Sequence, residues 1–307
     1  MDVTATDGLA ALRDDRAFVD LTPWRKVHVS GSEARGWLND LITADIANME
    51  PGSSRRSLLL TPTGRIRADF HVAPFEDGFL LVQDLEQPTG IDVLLAPYVL
   101  SSDVRLADRT SQLALYACPG WEPSDAGPAL ARWRPSCLGP GTDVLAEAGS
   151  QGGAEATVAA LAASGLTEAG LEALEAWRVE QGTPRFGVDL LEDSLPHEAA
   201  LDHAIGYGKG CFLGQEAVAK VRNLGHAPRV LLPAVADGRV GPGDAIISDD
   251  LEVGQVTSAT RLPDGRTAAI LRVRWAARSS SFGTPDGSAI EPTGSPAGEP
   301  ARDQPQE

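Results

Sequence analysis

The chain has 307 residues, 42% apolar and 22% charged, with a formal charge of −17. That length exceeds one small core and points to about two domains of ~100–200 residues. The acidic balance argues against broad nucleic-acid binding, which needs a basic footprint. No apolar run approaches the ~20 residues that span a bilayer, so no membrane partner is expected. The N-terminal stretch MDVTATDGLAALRDD has no basic region followed by an apolar one, which implies no signal peptide and a cytoplasmic protein. The three cysteines, Cys118, Cys137 and Cys211, are odd in number and far apart, which fits neither a disulfide framework nor a four-cysteine zinc site.

In chain order, residues 26–42 open with Val27 and Val29 in the alternation of a short half-buried strand. Ser30 and Glu33 have capping-box spacing. Ala34, Trp37, Leu38, Leu41 and Ile42 then recur as the buried stripe of a helix. Residues 55–84 read as antiparallel strands: RRSLLL, a turn at TPTG, RIRADFHVAPF, a turn at EDG, and FLLVQD. In the second strand Ile66, Ala68, Phe70 and Val72 share one face, and Arg65, Arg67, Asp69 and His71 the other. A helix over 89–98 and strands at VRLADR and QLALYAC follow, and the Gly/Pro/Ser/Ala-rich residues 120–155 read as loops. The clearest helix spans 167–181, capped by Thr167 and ended by Gly182 and Pro184. From 229, short strands at RVLLPAV, DAIIS, EVGQVTSAT and TAAILRVRW give a small β-barrel or sandwich. Residues 279–307 are rich in Pro, Gly, Ser and Glu and read as a disordered tail. Strands and helices mixed without a βαβ rhythm make the fold α+β.

The densest chemistry lies in YGKGCFLGQEAVAK, residues 207–220. Gly208, Gly210 and Gly214 allow positive φ and close approach of a ligand. If Lys209–Cys211 is extended, both side chains face the same way, and an ammonium beside a following helix N-terminus favours thiolate. The plain alternative is a tight turn around a buried structural cysteine. His197 and His203 are spaced H-E-x4-H, which loses the geometry of the H-E-x-x-H zinc helix. A Cys211–His226 nucleophile pair has no local hydrolase signature to support it. No metal ligands are assigned. Asp69 reads as a solvated carboxylate or one paired with Arg65 or Arg67. Glu180 sits near a helix C-terminus, where the macrodipole disfavours an acid. Accepting two N–H bonds from a pterin-like amidine would explain it, as would pairing with Arg178 or Arg185. Arg55, Arg56, Lys220, Arg222 and Arg229 are candidates for a local basic patch or simple surface charge. Neither a P-loop nor a G-x-G-x-x-G after a strand is present, so nucleotide binding has little support.

Lys209–Glu216, KGCFLGQE, resembles the K-G-C-[Y/F]-x-G-Q-E signature of YgfZ-type folate-binding proteins. VHVSGSEARGWLNDLITADI and TPTGRIRADFHV are similar to blocks shared with the glycine-cleavage T-protein. The segment from WRVEQGTPRFGVDLL to KGCFLGQE resembles that containing the family's R-[IVL]-E-x-G-x-P and P-x-E-A elements, and the likeness covers roughly residues 15–275. The resemblance implies two related α+β lobes around a folate-sized opening, here 1–115 and 116–228, and a C-terminal β-barrel at 229–278. It implies tetrahydrofolate or a derivative as cofactor, and iron–sulfur enzymes or their assembly proteins as partners. Cys211 becomes the key functional residue, with Lys209 and Asp69 as further catalytic candidates. Glu180, Arg178, Gly210, Gly214, Gln215 and Glu216 become candidate cofactor-binding residues. One Asp follows GRIRA where T-proteins tend to have a pair, and this departure argues against aminomethyl transfer. The alternatives are a tetrahydrofolate-dependent aminomethyl- or methyltransferase and a non-catalytic module presenting an acidic surface.

Overall fold

The structure is a computed structural model and describes residues 3–122, 129–149 and 153–294. It divides into two compact units, neither contiguous in sequence: residues 1–59, 68–175 and 204–213, and residues 60–67, 176–203 and 214–307. Among the described residues no helix is long and apolar enough to cross a membrane.

The first unit opens with α1 (Val3–Arg13), β1 (Ala17–Asp20), β2 (Arg25–Ser30) and α2 (Ala34–Leu41). The hairpin strands β3 (Arg55–Leu60), β4 (Ile66–Phe75) and β5 (Gly78–Gln83) come next, then α3 (Ile91–Leu95). β6 (Arg105–Asp108), β7 (Leu113–Pro119), β8 (Ala131–Trp133), β9 (Gly141–Glu147), α4 (Ala154–Ala163) and β10 (Thr167–Glu168) complete it, with the start of α5 (Leu171–Glu180). One sheet has the order β3-β4-β5-β2-β6 and the other β10-β1-β7-β9-β8. The alternation at 66–72 places Ile66, Ala68, Phe70 and Val72 in the interior. Ala68, Phe70 and Val72 pack with Val27, Val29, Leu38 and Ile42 of the first sheet and its helix. Phe18, Tyr116, Val144, Leu161 and Leu166 form the core over the second sheet.

The second unit contains the tip of the β3–β4 hairpin, the end of α5, α6 (Gln215–Leu224) and a barrel. The barrel strands are β11 (Arg229–Ala236), β12 (Ala245–Ser248), β13 (Leu251–Arg261), β14 (Thr267–Arg274), β15 (Phe282–Gly283) and β16 (Ala289–Pro292). They close in the order β11-β14-β13-β12-β15-β16 around Val230, Leu232, Val256, Leu271, Val273 and Ile290. The expected α+β class with a C-terminal barrel is what the chain adopts.

Several local expectations need correction. Phe282 and Ile290 enter the barrel core, so the ordered fold runs past 279. Two apolar anchors and backbone pairing to β11 and β12 outweigh the polar composition there; residues 295–307 lie outside the described residues. A break at 115/116 does not separate the two sheets, because β1 pairs with β7 and with β10. β8, β9 and the start of α4 occupy part of the stretch read as loops. Thr167 does not cap a helix: it is in β10, parallel to β1, and α5 starts four residues later. The capping box is also absent. Ser32 bonds Asp103 Oδ2 through N and Oγ, and Glu33 accepts from Asp103 N. Tertiary acceptors have replaced the local cap.

Candidate functional site

Residues 204–213 form a turn held on both flanks. Thr43 Oγ1 donates to the Ala204 carbonyl at 2.7 Å, and Gly206 N donates to the Thr43 carbonyl at 2.8 Å. Gly206 is where the loop comes closest to its neighbour: an added Cβ would stand 2.9 Å from Asp45 Cβ. Lys209 then inserts its ammonium among the carbonyls of Asn39, Ile42 and Ala44, at 2.5–2.8 Å. These lie at and just beyond the C-terminus of α2, where carbonyls lack helical partners and the macrodipole favours a cation. Burial lowers the Lys209 pKa to about 8, with Asp45 and Asp40 opposing the shift. Three N–H donors meet three acceptors, so the ammonium is the form that fits. Phe212 is buried, with its ring 5.2 Å from the same Nζ. Cys211, between these anchors, is exposed.

This geometry revises the sequence reading of the loop. The segment is a bend, not extended, and Lys209 spends its donors on backbone carbonyls. Lys209 therefore serves as an anchor of the loop. Gly208 and Gly210 have no positive φ, and a Cβ on either meets nothing within 4 Å. Gly214 is different, with φ +84° and a Cβ position 2.5 Å from the Thr61 carbonyl oxygen. It is the residue before α6, whose first turn carries half-buried Gln215 and exposed Glu216.

Asp69 is buried on β4 and gripped as a fork by Arg56: Nε–Oδ1 2.9 Å and Nη2–Oδ2 2.5 Å. Its partner is thus on the neighbouring strand β3, not Arg65 or Arg67. Gln87 receives the Asp69 N–H and donates back to its carbonyl. Burial opposes the Arg56 charge, but Asp69 more than offsets it and raises the guanidinium pKa.

In the second unit, Arg178 is buried and committed. It donates to Asp189 Oδ2 at 2.8 Å, the Thr183 carbonyl at 3.2 Å and Ser258 Oγ at 2.9 Å. Asp189, 0% exposed, also accepts from Arg185 N, Thr257 Oγ1 and Ser258 Oγ. A guanidinium used in this way holds the end of α5 to the 183–190 turn and β13. Arg178 therefore acts as a structural latch. Glu180, half-buried, is the last residue of α5.

Sequence reasoning missed Asp189, Gly206 and the pairing of Arg56 with Asp69. The fork spacing of Arg56 and Asp69 was available in principle, since both lie in the hairpin read correctly from its pattern. Of the histidines, His226 stacks on Trp275 at 4.9 Å, and His197 and His203 lie on two separate short 3-10 turns. Cys118 is buried, and burial pushes its thiol up to about 12. Cys137 lies against Asp143, whose carboxyl is raised by burial to about 6.

Residues 1–124 match the family model described as the GCVT N-terminal domain. An aminomethyltransferase of Pelodictyon phaeoclathratiforme is 29% identical, over 82% of this chain and 77% of that protein. An aminomethyltransferase of Streptomyces coelicolor is 27% identical, over 86% and 79%. A putative transferase of Arabidopsis thaliana, described as chloroplastic, is 26% identical, over 83% of this chain and 64% of its own length. The crystal structure of glycine cleavage system aminomethyltransferase T from Bartonella henselae superposes with a TM-score of 0.76 at 20% identity, covering 93% of this chain and 88% of that one. The chain thus has the T-protein fold over most of its length, and its first 124 residues match the GCVT N-terminal domain family.

Proposed function

We propose that this protein binds tetrahydrofolate or a derivative and supports the maturation or repair of iron–sulfur enzymes through the Cys211 thiol. The observation that carries this reading is the contrast between two candidate groups. Cys211 is presented to solvent between two anchored neighbours, whereas Asp69 is buried with its charge matched by Arg56. In this reading Glu180, the half-buried last residue of α5, is the carboxylate that accepts paired N–H groups from a pterin. Open space around Gly208 and Gly210 leaves room for a ligand or partner to reach the backbone.

The test is rescue of a deletion strain. Wild type should restore iron–sulfur enzyme activities and Cys211→Ala should not, while Asp69→Asn should restore them. Full activity with Cys211→Ala would sink the proposal. Calorimetry with tetrahydrofolate is expected to show binding that Glu180→Ala weakens at least tenfold.

A second reading, tetrahydrofolate-dependent aminomethyl transfer, is favoured by the names of the relatives. It requires one-carbon transfer by the purified protein that depends on Asp69 and survives Cys211→Ala.

A further inference from the structure

His28 lies on β2 opposite Leu80 of β5, and only 8% of its side chain is exposed. Its Nε2 is buried without a hydrogen-bond partner. Phe75 packs edge-on against the ring at 5.6 Å and limits its rotation. Two carboxylates of the β4–β5 turn face the imidazole: Asp77 Oδ1 is 3.4 Å from Nε2, and Glu76 Oε2 is 3.8 Å from Nδ1. The backbone delivers them there. A Cβ on Gly78 would stand 2.0 Å from the Val29 carbonyl oxygen, so only glycine lets the turn close onto β2. Glu76 adopts φ +48°, a left-handed conformation uncommon for a residue other than Gly, Asn or Asp.

We propose that His28, Asp77 and Glu76 form a binding site for a divalent transition-metal ion of the zinc type. One ligand atom from each residue lies within 4.8 Å of the others. Tetrahedral zinc with bonds of ~2.0–2.2 Å has ligand–ligand edges of about 3.3–3.6 Å, and the Nε2–Oδ1 separation of 3.4 Å is such an edge. An imidazole with two carboxylates suits zinc or cobalt better than magnesium or calcium, which take oxygen alone. Nε2 makes no hydrogen bond although Asp77 Oδ1 lies 3.4 Å away; a buried polar atom left unmet is costly, and a cation between the two would remove that cost. Arg109 Nη1, 3.5 Å from Glu76 Oε2, competes for that carboxylate, so its removal should strengthen the site.

The test uses the full chain, stripped with a chelator. Calorimetry with Zn²⁺ is expected to show one equivalent bound at this site. Co²⁺ should give a spectrum of nitrogen and oxygen ligation without a thiolate charge-transfer band. His28→Gln and Asp77→Asn should each weaken binding at least tenfold, Arg109→Gln should tighten it, and Cys211→Ser should leave it unchanged. Asp77 is 75% exposed, so its variant reports on the site even where the buried His28 variant does not fold. Unchanged affinity in Asp77→Asn, or a thiolate band lost in Cys211→Ser, overturns the proposal.

Discussion

Half-buried Lys209 in the first unit and buried Arg178 in the second are both cations that tie a turn to its surroundings, and they do so by opposite means. Lys209 is enclosed by three neutral carbonyls at the end of α2. Arg178 meets a carboxylate, Asp189, that is itself saturated with donors. The first arrangement leaves a charge compensated mainly by dipoles. The second pairs two full charges and depends on both being present. Similar sequence settings, a cation a few residues from glycines, therefore give anchors with different sensitivities.

The sharpest way to break this comparison is to remove one partner of the ion pair. Asp189→Ala leaves the Arg178 guanidinium buried without its counter-charge, which costs about 3–5 kcal/mol. Urea unfolding should show a large fall in midpoint with an unchanged slope. Lys209→Met keeps the aliphatic stem but strips three carbonyls of their donor, for a smaller loss of about 1–3 kcal/mol. Its more specific readout is Cys211, whose alkylation rate should change as the loop loosens. A loss in Lys209→Met equal to that in Asp189→Ala would mean that carbonyl cages and carboxylate partners are equivalent here.

The two anchors also differ in what could be read from sequence. Alternation and helical spacing identified β3–β5, α2, α5 and the main barrel strands, because each buries one face and its pattern is local. The KGCFLGQE motif singled out Lys209, Cys211 and Gly214 together. What the pattern did not contain was direction. Whether Lys209 points at the thiol or at α2 depends on carbonyls about 170 residues away in sequence. The ion pair of Arg178 was not legible because Asp189, its partner, carries no local signal. Likewise Asp69 had three arginines within reach, and strand pairing chose Arg56. The C-terminal strands were missed for a related reason: β15 and β16 are short and lie in a stretch of polar composition, and the rest of the barrel specifies them.

pH separates lysine from arginine, since only lysine can lose its proton in the accessible range. Burial lowers Lys209 to about 8 from 10.5, and also Lys26, which is 0% exposed and bonded to the carbonyls of Thr22 and Trp24. Between pH 8 and 10.5 the unfolded chain holds protons that the folded chain has released, so these two groups make stability rise with pH across that window. Lys26→Met and Lys209→Met should each flatten the rise in denaturant midpoint, and Arg178→Met should leave it in place. Asp143 acts at the other end. Raised from 3.8 to about 6, it holds its proton in the folded chain after the unfolded chain has lost it. Its contribution therefore falls as pH rises from 3.8 to 6, and Asp143→Asn should remove that slope.

The smallest expected effects come from the motif glycines, and they test what the loop is built for. Gly214→Ala forces a left-handed φ on alanine, which costs about 1–2 kcal/mol, and places a methyl carbon against the Thr61 carbonyl oxygen. Its thermal midpoint should fall. Gly210→Ala meets open space at an ordinary φ and should stay within about 0.5 kcal/mol of wild type. The fold gives no reason for glycine at 210, so any reason must come from something that approaches the loop. Normal stability together with impaired rescue of iron–sulfur enzyme activity would assign Gly210 to that approach. Normal stability with full rescue would leave Cys211 as the part of the motif that acts, with Gly206, Lys209 and Phe212 setting its position.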